Sequence, residues 1–234
     1  MPRRGLDIAL IALFVLSVAA IFLSHEEPFA REALCAHTGF CPHLPKAWHK
    51  IIYDLAVGAM VSLFFYWLVV RLPDYQRRQR LKRGLEKQYK SFRLDCIKVM
   101  MMAADGSYFG GVPETLLEQD KFKAYFKVYV TPDRERWHAF QGNINEYHLR
   151  ELLTRMEIFR EELTFVLNNT DIPKDEPFEF LKRLSAIIYS MKDITIGHDE
   201  LKPLAGFLWS VFAGWDLITG YRKEDIVKKM INEI

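Results

Sequence analysis

Residues 6 to 23 read LDIALIALFVLSVAAIFL and residues 51 to 70 read IIYDLAVGAMVSLFFYWLVV. At about 1.5 Å rise per residue, apolar helices of these lengths reach roughly 27 to 30 Å, the thickness of a bilayer hydrocarbon core. Each run holds one carboxylate, Asp7 or Asp54. Both lie in a first turn, where they reach interfacial water at far lower cost than at mid-bilayer. Trp48 and Tyr53 near one end of the second run, and Phe64, Phe65, Tyr66 and Trp67 near the other, suit the headgroup depth that amphipathic rings prefer. The two runs therefore predict a transmembrane hairpin of helices 6–23 and 51–70, after a short N-tail, 1–5. Arg3 and Arg4 ahead of the first run also suit an export signal, with Ser17 to Ala19 as a loose cleavage site. The run continues through Ile21, Phe22 and Leu23, which favours a retained helix.

Lys and Arg near span ends mark the cytosolic side. Between Arg71 and Arg93 stand nine of them against two acids, Asp74 and Glu86, and the N-tail adds Arg3 and Arg4. The loop 24–50 balances Arg31, Lys46 and Lys50 against Glu26, Glu27 and Glu32. Both termini are thus expected in the cytosol and the loop outside, with a bacterial inner membrane as the expected location.

That loop contains Cys35 and Cys41 in CAHTGFC, and a Thr38-Gly39 turn suits closure of a disulfide in an oxidising exterior. So small a ring contributes on the order of 2 kcal/mol in the chain-entropy model. A competing reading joins Cys35, His37, Cys41 and His43 as a tetrahedral zinc set. The spacing is not that of a standard finger, and oxidation would remove the thiolates. No metal or cofactor is therefore expected. Cys96 falls on the reducing side, as a small apolar packing residue.

From Asp74 the pattern resumes as a juxtamembrane helix, 71–104, with Pro73 ending or bending the second span. Leu81, Leu85, Tyr89, Phe92, Cys96, Val99 and Ala103 recur at steps of three and four and define one helical face. Basic side chains at Arg71, Arg77, Arg78, Arg80, Lys82, Arg83 and Lys87 suit contact with anionic lipid headgroups, worth up to about 1 kcal/mol each near such a surface. Nucleic acid is not an expected partner, because residues 94 to 234 carry a net charge of −5 within a chain of +2.

Beyond the DGSYFGGVP break at 105–113, the remainder, 105–234, reads as an all-α domain. Pro113 opens a helix through ETLLEQDKFKAYFKVY, and Thr131-Pro132 gives a cap and first-turn pair for the next. Asn145 to Leu167 is the most regular, with Leu152, Met156, Phe159, Leu163 and Val166 on one face. Helices are also expected over Phe178 to Ile194, Leu201 to Phe212 and Arg222 to Ile234. The stretch LAGFLWSVFAGWDLITGY at 204–221 is too interrupted to span a bilayer and reads first as a core helix plus turn. Its Phe207, Leu208, Trp209, Phe212 and Trp215 are the candidate apolar patch for a partner.

Chemistry leaves little trace. Gly106, Gly110 and Gly111 lack the spacing and Lys of a phosphate-cradling loop. Glu135 and His138 have the E-x-x-H spacing of one half of a di-metal site, with no second half. His198, Asp199 and Glu200 are consecutive and diverge, and Asp199 suits a helix cap. A non-enzymatic role follows: a membrane-anchored helical interaction or sensor module that binds a cytosolic protein or a second copy of itself. By topology alone, the architecture resembles two-pass effectors of bacterial anti-phage systems, which implies membrane perturbation or pore formation as the alternative. Gly58 and Ser62 are the small-residue pair that would let helices approach, within one hairpin or between hairpins. A membrane-tethered enzyme is the third class.

Overall fold

A computed structural model describes residues 3 to 24 and 46 to 234. The chain is mostly helical and divides into two compact units, one ending at Arg77 and one spanning Arg78 to Ile234. Cys35 and Cys41, with the zinc alternative through His37 and His43, lie outside the described residues.

In the first unit, α1 (Arg3–Ser24) packs on α2 (Lys46–Tyr66). Small residues make the close approach: Ser17 and Ala56 are buried, while Ile11, Leu16, Leu55 and Phe64 face outward. The Ser17 hydroxyl donates to the Leu13 carbonyl at 2.8 Å, so burying it leaves no unmet bond. The long helix that contains the second apolar run is long and apolar enough to cross a membrane; the described apolar stretch of α1, Ile8–Phe22, is shorter.

Pro73 does not end the helix. A proline lacks the N–H for the carbonyl four residues back and its ring crowds that carbonyl, here Val69. A wide π turn, Trp67–Arg71, encloses Val69, and the Leu72 N–H donates to the Trp67 carbonyl five residues back. The extra residue in the turn absorbs the mismatch, as π bulges do. The helix then continues as α3 (Leu72–Asp105), within which the boundary between the units falls.

The second unit is built on the apolar face of α3. Leu85, Tyr89, Phe92, Cys96 and Ala103 are buried, and Leu81 and Val99 pack against the same core. After a glycine turn come α4 (Val112–Thr115) and α5 (Gln119–Phe126). The single helix expected from Pro113 to Tyr129 is therefore split at Leu116 to Glu118. Its end is not helical either: Tyr129–Thr131 is strand β1, paired antiparallel with β2 (Arg134–Glu135). Thr131-Pro132 leads into the hairpin turn rather than a helix start, and Glu135 occupies the N-cap of α6 (Arg136–Asn143).

α7 (Glu146–Asn169) begins where the pattern placed it. The Asn145 carboxamide oxygen accepts from the His148 N–H at 2.9 Å, satisfying one of the orphan donors of the first turn. Leu152, Met156, Phe159, Leu163 and Val166 are all buried, and α7 packs on α8 (Asp175–Ser190). α9 (His198–Ala213) packs on α5, and a second small hairpin, β3 (Trp215–Asp216) with β4 (Gly220–Tyr221), leads to α10 (Ile226–Asn232), which packs on α8. The two hairpins are too short for sequence alternation to reveal.

Rings dominate the core. Phe92 stacks on Phe159 with centroids 4.9 Å apart, Phe212 joins Phe92 to Phe122, and Trp137 lies 4.7 Å from Trp209. Such pairs add about 0.5–1.5 kcal/mol each beyond area burial.

Candidate functional site

α9 and the hairpin after it place the apolar segment 204–221. Leu208 and Phe212 are fully buried, and Phe207 and Trp209 pack partly buried against the core. This corrects the five-residue patch: an amphipathic stripe at helical spacing here is core, and of the five only Trp215, in β3, is exposed. The exposed apolar groups lie two residues further on. Leu217 is 91 % exposed and Ile218 92 %, at the tip of the β3–β4 turn.

The turn is held from inside. Asp216 Oδ1 accepts from the N–H groups of Ile218 and Thr219 at 2.9 and 3.0 Å, and its other oxygen pairs with Arg222. These backbone bonds hold the Asp216 carboxyl below its ordinary pKa, with the Arg222 charge adding to them. Gly220 has φ +72°, a left-handed conformation that glycine adopts without penalty. The Trp215 and Tyr221 rings meet edge to face 4.9 Å apart, and Lys123 lies over the Tyr221 ring. A tip braced in this way presents two large apolar side chains to solvent, forgoing roughly 1.5–3 kcal/mol of burial for each.

The second cluster is basic. Seven cations of the neck were expected to face lipid, and Arg78, Lys82 and Arg83 among them donate to backbone carbonyls, Arg83 Nε to that of Gln79 at 3.1 Å. Arg78 Nε donates to the Ile234 carbonyl at 2.8 Å, and Lys82 Nζ donates to the Asn232 carbonyl. Cations there satisfy carbonyls at the end of α10 and complement its dipole. Arg71 is partly buried, Arg77 and Arg80 are exposed, and Arg83 and Lys87 line a cleft of about 510 Å³. Lys90, Arg93 and Lys228 complete its cationic lining, with Glu86 and Asp225 as the acids.

Arg93 is the last of the nine basic residues from 71 to 93, yet its side chain is only 7 % exposed. Its Nη1 donates to Asp225 Oδ2 at 2.7 Å, and the Tyr89 hydroxyl lies 3.0 Å from the same carboxylate. Asp225 also caps α10 by accepting from the Lys228 N–H. Burial first, and then the Asp225 charge, pushes the Tyr89 hydroxyl well above its ordinary pKa. The signal for Arg93 was its place in α3: one residue after Phe92 and four after Tyr89, on the edge of the apolar stripe.

The remaining sequence candidates stay apart. Gly58 and Ser62 are exposed on α2, where the Ser62 hydroxyl donates to the Gly58 carbonyl and a Cβ added at Gly58 would meet nothing within 4 Å. Glu135 precedes α6 and His138 is exposed on it. Gly197, not Asp199, occupies the N-cap of α9; Asp199 pairs with Lys202, and Glu200 accepts from the Thr195 N–H. Among the described residues no three His, Cys, Asp or Glu side chains gather as a metal site. Cys96 is wholly buried, and its thiol pKa is raised by that burial first and by Asp95 next. Compared with family models, curated proteins and solved structures, the chain shows no match to any of them.

Proposed function

We propose that this protein is a membrane-anchored, non-enzymatic interaction module: a two-helix hairpin in the membrane carries a cytosolic helical unit that docks a protein through the β3–β4 tip. The observation that carries the reading is the pair Leu217 and Ile218, almost fully exposed on a turn braced by Asp216. Aliphatic anchors on a rigid turn lose little conformational entropy on docking, which is how a small contact gains affinity. The cation excess after the second span favours the cytosol for the helical unit, and anionic headgroups are the proposed contacts of Arg77 and Arg80. The proposed membrane is a bacterial inner membrane.

Photo-crosslinking in native membranes, with the reactive group at Ile218, tests this. A discrete protein adduct, lost when Leu217 is replaced by Asp, is expected; an adduct of twice the chain mass identifies a second copy as the partner. Adducts to lipid alone, or none, would overturn the docking reading.

The second reading, membrane perturbation, draws support from Gly58 and Ser62, a small-residue pair left open on α2 and available for contact between hairpins. Dye uptake on overexpression, abolished by Gly58→Ile, is its expected signature. A passive anchor leaves the membrane tight.

A further inference from the structure

We propose that the cleft between α3 and the start of α10 binds a phosphate-bearing anion. Arg93 is its buried cation. One of its nitrogens is bonded to Asp225, but Nε and Nη2 are buried and have no hydrogen-bond partner among the described residues. The Tyr89 and Phe212 rings lie 5.8 and 5.6 Å from the guanidinium carbon. Ring faces attract the cation, yet they are no substitute for the oxygen acceptors that its in-plane N–H groups require. Buried donors in folded proteins are nearly always bonded, so this guanidinium marks an incomplete site.

The lining supplies the rest. Arg83, Lys87 and Lys90 come from successive turns of α3, and Lys228 comes from α10. Among the described residues, none of these four has a carboxylate within ion-pair distance. Of the two acids in the lining, Asp225 is already engaged by Tyr89, Arg93 and the Lys228 N–H. Like charges around one cleft repel one another, and an anion with several oxygens relieves that repulsion. Phosphate fits best, since the guanidinium fork matches its oxygens and ammonium groups add point charge around them. The volume, about 510 Å³, leaves room for a group attached to the phosphate.

A free phosphate compound and a lipid headgroup share this chemistry. The full chain in neutral detergent is titrated calorimetrically with inorganic pyrophosphate and, separately, with micelles carrying phosphatidic acid or phosphatidylcholine. Saturable pyrophosphate binding, weakened about tenfold by Lys90→Gln or Lys228→Gln, supports the site with a free phosphate compound as ligand. Saturable binding to phosphatidic acid alone, with the same sensitivity, supports it with a headgroup as ligand. Lys121→Gln and Lys202→Gln, at exposed lysines outside the cleft lining, are the controls. No saturable binding to either probe overturns the proposal, as does binding that the control variants weaken as much as the cleft variants do. The cleft residues are separate from Leu217 and Ile218, so the site and the docking reading can fail independently.

Discussion

Asp225 joins three neighbours at one carboxylate: the Arg93 guanidinium, the Tyr89 hydroxyl and the first turn of α10. Removing it strands a buried charge, which costs about 3–5 kcal/mol, far more than an exposed ion pair contributes. Asp225→Ala is therefore expected to destabilise the second unit by that amount. Tyr89→Phe, which deletes one hydrogen bond, should cost about 1 kcal/mol. Denaturant unfolding of the full chain in detergent, followed by the fluorescence of Trp137 and Trp209 in the core, measures both. A second polar node involves Tyr125, whose hydroxyl donates to Asp105 at 2.7 Å while Arg136 bonds the same carboxylate. Burial, and then that hydrogen bond, raises the Tyr125 pKa to about 12. A raised folded pKa means that the contribution to stability is full below the ordinary tyrosine value and is lost as pH rises through about 12. Spectrophotometric titration of tyrosinate should show a late step near pH 12 that Tyr125→Phe removes, with Tyr89 ionising late as well.

At the scale of elements, the end of α9 shows how a helix and a hairpin are joined. Gly214 closes α9 with φ +69°, and its carbonyl accepts from the Arg222 N–H at 2.8 Å. Gly214→Ala forces an L-residue into that left-handed cap and also brings a Cβ to 2.9 Å from the Gln119 side chain, which is flexible enough to move. The expected loss is about 1 kcal/mol, read from the same unfolding curve. Asp216→Ala should instead leave the core intact and loosen the tip. Faster amide exchange at Ile218 and Thr219, without a change in unfolding free energy greater than about 1 kcal/mol, is the expected result. These elements also mark the limit of what the sequence discloses. The long faces of α3 and α7 were legible because a core selects the same residue class every three or four positions, and Leu85 to Ala103 and Leu152 to Val166 obey that rule. The two hairpins were not, because strands of two or three residues have no period to read, and Thr131-Pro132 imitates a helix start. Phe207 to Phe212 could not be divided into buried and exposed side chains without knowing that α5 covers that face.

At the scale of the molecule, the chain couples an apolar helix pair, most of whose side chains face outward, to a unit with a closed aromatic core. The contrast is physical: Leu16, Leu55 and Val69 stay exposed, whereas Leu152, Phe159 and Phe212 are fully covered. Apolar surface of that extent on a water-soluble protein would be an aggregation liability, and lipid removes the liability. The proposed two-pass arrangement, with both ends in the cytosol, makes a definite prediction for thiol labelling. Cys96 is wholly buried with a thiol resistant to ionisation, so in the folded chain it should stay silent toward maleimide. Cys35 and Cys41 then report the loop, and Lys121→Cys, at a largely exposed position of α5, reports the helical unit. In intact cells treated with reductant, a membrane-impermeant maleimide should label Cys35 and Cys41 at once and the cysteine at 121 only after permeabilisation. Labelling at 121 from outside would invert the orientation. Protection of both loop cysteines until permeabilisation would remove the first helix from the membrane, leaving α2 as the single anchor and the proposed hairpin without basis.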